Sequence, residues 1–223
     1  MLEGLQRAWW RHRLKDASFA HLGAPYDGDE LVSIDCETTG LDVRRDQILS
    51  IGAIKLKGDT ILTSQRLDFL VRPKQPVSER TILIHHIRPI DLQGAVPVDD
   101  GIRRVLEFIG PRPLVGYYLD FDVAMLDKYI LPIVGIELPN RRIEVSRLYY
   151  DRKYGDAPPN TSIDLSFAAI LRDLDIPALA QHDAFDDALM TAMMFVQLRD
   201  LAERGVRIPR VHRTDPVFNP TGG

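Results

Sequence analysis

An α/β fold, a mixed sheet of about five strands with helices on both faces, is predicted from three features of the chain. Three apolar segments of strand length come first, at residues 31–37, 48–57 and 60–71. Helix-spaced and short strand-like segments alternate after them. The 223 residues, 45% hydrophobic and 27% charged, suit one domain with a proper core rather than two.

Residues 1–16 place Leu2, Leu5, Trp9 and Trp10 beside Arg7, Arg11, Arg13 and Lys15. They are expected to form a basic, Trp-rich amphipathic helix packed on the domain. Docking to a polymerase or another protein partner, or to a nucleic-acid backbone, is the sharper reading of this arm. It has no apolar stretch followed by a small-residue cleavage site, so it is not read as a secretory signal. No segment approaches the roughly 20 apolar residues of a membrane span, so no membrane partner is expected. Cys36 is the only cysteine, which excludes an intrachain disulfide and suits a cytoplasmic protein. Residues 16–30 are punctuated by Gly, Pro and Asp and read as a connector. Arm and connector make up 1–30, the folded domain is expected over 31–205, and 206–223, with three prolines and a Gly-Gly end, is expected to be a flexible tail.

Within the domain, the second and third strands meet at Lys57-Gly58-Asp59-Thr60, a hairpin signal. Residues 73–92 read as a loop with one short helix. Val98, Ile102, Val105, Leu106 and Ile109 have helical spacing. A short strand at 113–116 enters a helix at 120–131. Another strand is expected at 142–145, and helices at 164–173 and 183–204.

The stretch SIDCETTGLD, residues 33–42, ends the first apolar run with two acids. Strand alternation puts Val32, Ile34 and Cys36 on one face and Ser33, Asp35 and Glu37 on the other. Two carboxylates on one face repel unless both are solvated or a cation lies between them. The same oddity recurs twice. Asp120 suits a helix N-cap, but Asp122 heads an apolar stripe through Met125, Leu126, Tyr129 and Ile130. Asp183 suits an N-cap and Asp186 a first turn, whereas Asp187 heads a stripe through Thr191, Met194, Leu198 and Leu201. Ala184 and Ala188 leave room beside it, and His182 lies five residues before it. Buried carboxylates need partners. Four acids with one nearby His select Mg²⁺ or Mn²⁺ over zinc, and acids around two such ions are machinery for phosphodiester hydrolysis. The net charge of −4 argues against a protein that coats long duplexes, though not against one that grips a few phosphates.

The motifs DCETTG, LVGYYLDFD and HDAFDD, in this order over about residues 31–200, resemble those of the DEDDh family of 3′→5′ exonucleases. That family includes the proofreading epsilon subunit of bacterial DNA polymerase III, RNase T and oligoribonuclease. The tyrosine branch would have Tyr at position 183, where this chain has Asp. The resemblance implies an RNase H-like fold, with Asp35, Glu37, Asp122 and Asp187 holding two Mg²⁺ or Mn²⁺ ions. It also implies that His182 is the general base toward the attacking water, with nucleoside 5′-monophosphates released from the 3′ end of DNA, single-stranded by preference. Thr39, Leu41 and His85 would contact the 3′-terminal nucleotide, and Tyr117, Tyr118 and Phe121 would lie along the substrate. Tyr117-Tyr118 stands where relatives carry His-Asn, and His86 and Arg88 depart from the family's IHGIT segment. Trimming of RNA 3′ ends is the alternative of the same chemistry. An interaction subunit docked on a polymerase or nuclease is the alternative of another class.

Overall fold

A computed structural model describes residue 10 and residues 12–179 and 183–210. Six strands form one mixed sheet: β1 (Glu30–Thr38), β2 (Ile48–Lys57), β3 (Thr60–Arg72), β4 (Val96–Pro97), β5 (Leu114–Gly116) and β6 (Arg142–Glu144). Their order across the sheet is β4-β3-β2-β1-β5-β6. The first three pair antiparallel, and β5 and β6 continue the sheet parallel to β1. The strand beyond the expected five is β4, two residues that pair with Val71 and Arg72. Two residues are too short for an alternation signal.

Among the described residues six α-helices flank the sheet: α1 (Glu79–His85), α2 (Val98–Ile109), α3 (Leu119–Val134), α4 (Val145–Lys153), α5 (Phe167–Asp173) and α6 (Ala184–Glu203). Helices α2 and α3 cover the face that carries Val32, Ile34 and Cys36. Helices α4, α5 and α6 cover the other, around Ile54, Leu56, Tyr149 and Met194. The helical spacing read in the sequence becomes burial: Ile102, Val105, Leu106 and Ile109 of α2 are all fully buried.

Several local features differ from the sequence expectation. The connector holds a 3-10 helix, Ala17–Gly23, capped by Asp16. The strand expected to reach residue 145 ends at Glu144, and α4 follows at once. Helix α5 begins only at Phe167, where Ser166 accepts the Ala169 N–H. Asp120 is not the N-cap of α3. That position is Tyr118, and the carboxylate of Glu144 on β6 accepts the N–H groups of Tyr118 and Leu119. Asp120 is exposed and pairs with Arg142. Val123, outside the stripe headed by Asp122, is fully buried as well.

Of the expected N-terminal helix, residue 10 and residues 12–16 are described. Trp10 packs against the first core, and the Lys15 N–H donates to the Val134 carbonyl. Residues 206–210, read as the start of the tail, dock on α4: Ile208 is buried and donates its N–H to the Arg152 carbonyl. No helix among the described residues is long and apolar enough to cross a membrane.

Candidate active site

The site forms where β1 outruns its neighbour. Strand β5 pairs with β1 only at Val32 and Ser33, so the edge of β1 beyond them is open on that side. The Cys36 N–H on this edge donates to Asp122 Oδ1 at 3.0 Å, which fastens the first turn of α3 to the strand. On its other side β1 pairs with β2 up to Glu37–Ser50, and the register shifts between Glu37 and Thr38. Such a bulge re-aims side chains at a strand end.

Helix α6 brings the third segment. Its N-cap is Asp183, which accepts the N–H groups of Phe185 and Asp186, as the sequence suggested. Two contacts set its depth. The buried Ser33 hydroxyl donates to the Ala188 carbonyl at 2.8 Å. Gly52, paired with Asp35 across the β1–β2 ladder, lies against the backbone of Ala184 and Phe185, where any Cβ would collide. Asp187 is thereby lowered onto the face of β1 that carries Asp35 and Glu37.

Ligand oxygens of Asp35, Glu37 and Asp187 lie within 4.8 Å of one another. Asp122 is buried beside them, with one oxygen committed to Cys36. Burial first, and then the charges of Asp122, Glu37 and Asp187, push the Asp35 carboxyl well above the usual carboxylate range. Burial likewise raises Asp122, although the N–H of Cys36 opposes the shift. A close group of hard oxygens whose charges are mutually unfavourable fits a divalent cation, which would reverse both effects. Burial and the neighbouring acids also push the Cys36 thiol up, so it is a packing group and not a nucleophile.

Around this centre, His85 at the end of α1 places Nδ1 2.5 Å from Glu37 Oε2. The Thr39 hydroxyl is engaged with Asp46 at 2.8 Å, and the Thr39 carbonyl accepts the Thr81 hydroxyl of α1. Leu41 projects into solvent, 84% exposed. Tyr117 donates its hydroxyl to the Leu165 carbonyl and packs edge-on to Phe167. Burial first, then Tyr118, raises its phenol to about 12. Tyr118 is 60% exposed in the left-handed conformation, φ 51°. Phe121 packs against the first core. His182 lies outside the described residues. Sequence reasoning missed Gly52, Ser33 and Glu144. The isolated Gly in an apolar strand was the one available signal, since it marks close backbone approach.

A family model described as exonuclease, of the RNase T type, matches residues 32–195. The chain belongs to this exonuclease family. Its motifs place it with the DEDDh 3′→5′ exonucleases. It is 29% identical over 181 residues to the PolC-type DNA polymerase III of Bacillus subtilis (strain 168), covering 79% of the exonuclease-family chain and 12% of that polymerase. It is 24% identical over 172 residues to the DNA polymerase III subunit epsilon of Aquifex aeolicus (strain VF5), covering 75% of this chain and 79% of that one. The chain thus spans about an eighth of the length of the PolC-type relatives it matches. The fold is shared with E. coli exonuclease I in complex with a dA16 oligonucleotide, at a TM-score of 0.67 and 14% identity, over 79% of this chain and 42% of that one. Cell-death related nuclease 4 shares it at a TM-score of 0.65 and 16% identity, over 81% and 66% of the two chains.

Proposed function

We propose that this chain hydrolyses phosphodiester bonds from the 3′ end of DNA, single-stranded by preference, and releases nucleoside 5′-monophosphates. The observation that carries the reading is the convergence of Asp35, Glu37 and Asp187, with Asp122 beside them, from three separate segments of a 3′→5′ exonuclease family member. Asp35, Glu37, Asp122 and Asp187 would hold two divalent cations, Mg²⁺ or Mn²⁺. Bound cations supply Lewis acidity toward the phosphate and its leaving 3′-oxygen.

The remaining work falls to the chain's own groups. His182 takes the proton from the attacking water as general base. The Cys36 N–H keeps the Asp122 carboxylate aimed along the strand end. His85, against Glu37, and the Thr39–Leu41 turn flank the terminal nucleotide. Tyr118 offers an exposed ring at the start of α3 for a base, Tyr117 packs edge-on against it, and Phe121 follows in the first turn of α3. Contacts of this kind suit an unpaired end.

E. coli exonuclease I was solved with a DNA oligonucleotide, and the epsilon subunit belongs to a DNA polymerase. Both favour DNA over RNA here, and the second favours a polymerase partner. The test is release of mononucleotides from 3′-labelled single-stranded DNA, duplex DNA and RNA with Mg²⁺, Mn²⁺ or EDTA. Cleavage of single-stranded DNA that stops with EDTA is expected. Silence on every substrate in both metals would sink the enzymatic reading and favour a docking subunit.

A further inference from the structure

Strand β3 gives the sheet an open edge. Its inner side pairs with β2, but on its outer side β4 covers only Val71 and Arg72. From Thr60 to Leu70 the outward backbone groups meet no other strand among the described residues. Unpaired N–H and C=O groups of this kind are a template for a further strand. Residues 63–65 bulge out of the pairing with β2, since Ile54 pairs with Arg66 and the next residue, Lys55, with Leu62. The regular part of the open edge is therefore Arg66–Leu70.

Two opposite charges stand on this part, on either side of Leu67. Arg66 and Asp68 pair with Ile54 and Gly52, so both side chains lie on the face covered by α6. Both are exposed, and neither forms an ion pair with a described residue. The Arg66 guanidinium rests over the Phe185 ring at 4.9 Å from its centre. Partial burial first, and then Asp183, raise the Asp68 carboxyl, and Arg66 offsets only part of the shift. A further cation beside Asp68 would relieve it.

An antiparallel two-fold pairing of this edge supplies that cation. With Leu67 on the axis, facing Leu67 of a second copy, Arg66 of each chain lies opposite Asp68 of the other. Opposite charges directly across a strand pair attract, and like charges repel. An axis at Asp68 would set that carboxylate against its own copy. An axis at Phe69 would set Leu67 against Val71, whose outer side β4 already occupies. The charges therefore select one register, and a strand of another protein would have to reproduce the same Arg-Leu-Asp spacing to match it.

We propose that the chain pairs with a second copy of itself through β3, in an antiparallel two-fold contact centred on Leu67. The pairing stands apart from the exonuclease reading, since neither Arg66 nor Asp68 belongs to the acid cluster.

The test is sedimentation equilibrium of the full chain over a concentration series at low salt. The unaltered chain is expected to be a dimer. Arg66→Asp and Asp68→Arg each set like charges across the strand pair, and each should weaken the dimer at least about ten-fold. The swap Arg66→Asp/Asp68→Arg restores the opposition and should dimerise as the unaltered chain does. The two single variants mixed in equal amounts should form a heterodimer, because each supplies the charge the other lacks. An unaltered chain that is monomeric at every concentration would overturn the proposal, whether another segment covers the edge or none does. So would a dimer untouched by either single variant, which would place the contact elsewhere. A mixture that stays monomeric while both variants keep their circular dichroism would overturn it too. Where a single variant fails to fold, the swap carries the test, and a folded swap that stays monomeric counts against the pairing.

Discussion

Asp35 is the residue at which fold and chemistry conflict most directly. Its carboxyl is held well above its ordinary 3.8 by burial first and then by four neighbouring acids. A raised acid favours the folded state below its unfolded pKa, and that contribution is lost as pH rises through the folded value. The metal-free protein is therefore expected to lose stability from about pH 4 upward on account of this group. Asp35→Asn should melt a few degrees above the unaltered chain at pH 8 in EDTA, since about 1 kcal/mol moves Tm by ~2–4 °C at this size. The gap should close toward pH 4, and activity should vanish. Melting curves across pH check this, and an Asn variant that melts lower at pH 8 would contradict it. In the proposed mechanism His182 would have the complementary role, that of a base and not of a ligand. His182→Ala should lose about 10²–10⁴-fold in turnover yet keep Mn²⁺ binding. Activity of the unaltered chain should fall as pH drops through about 6.5, where an ordinary imidazole becomes charged. Calorimetric Mn²⁺ titration decides the matter: loss of binding in His182→Ala would make the residue a ligand.

Between elements, the decisive contact is that of α6 on the sheet. Ser33 and Gly52 set its depth, and Asp187 rides on its first turn. Gly52→Ala would force a methyl into the backbone of Ala184 and Phe185, so helix or strand must move. Overpacking of this kind costs about 1–3 kcal/mol. The displacement separates Asp187 from Asp35, so Mn²⁺ affinity is expected to fall at least about ten-fold. Gly94→Ala, where a Cβ meets nothing within 4 Å, is the control and should change neither melting nor metal binding. Equal metal affinity in both variants would show that α6 does not set the site.

For the whole molecule, the acids come from segments far apart in sequence, so a metal held as proposed would join β1, α3 and α6. Ligands that bind only the folded state stabilise it by mass action, by about 2.7 kcal/mol at a hundred-fold excess over Kd. Saturating Mn²⁺ is expected to raise Tm by roughly 5–10 °C and EDTA to reverse the rise. Asp35→Asn should show less than half that rise. A rise of the same size in both proteins would place the stabilising ion elsewhere. The ends of the described chain belong to the same body. Trp10 packs on the first core, Lys15 bonds Val134 of α3, Asp16 pairs with Arg103 of α2 and Ile208 contacts α4, so removal of residues 1–16 or 206–210 removes packing as well as chain.

Period-two alternation alone put Asp35 and Glu37 on one face and Cys36 on the other. Helical periodicity alone set Asp122 and Asp187 at the head of core-facing stripes. These are local rules of backbone geometry, and they make the strand–helix alternation and the acid set legible in the amino-acid sequence. What depends on which segments meet was not legible there. Asp122 bonds the Cys36 N–H because β5 stops short and leaves that edge open. Glu144 takes the capping role assigned to Asp120 because β6 ends beside α3. Helix α4 has weak intrinsic signals, with Val, Ser and two Tyr among nine residues. Tertiary contacts hold it, among them the Tyr149 hydroxyl on Asp173 of α5 at 2.6 Å. Period and propensity act over a few neighbouring residues, whereas these bonds join groups 24 to 86 positions apart, and only the folded sheet brings such groups together.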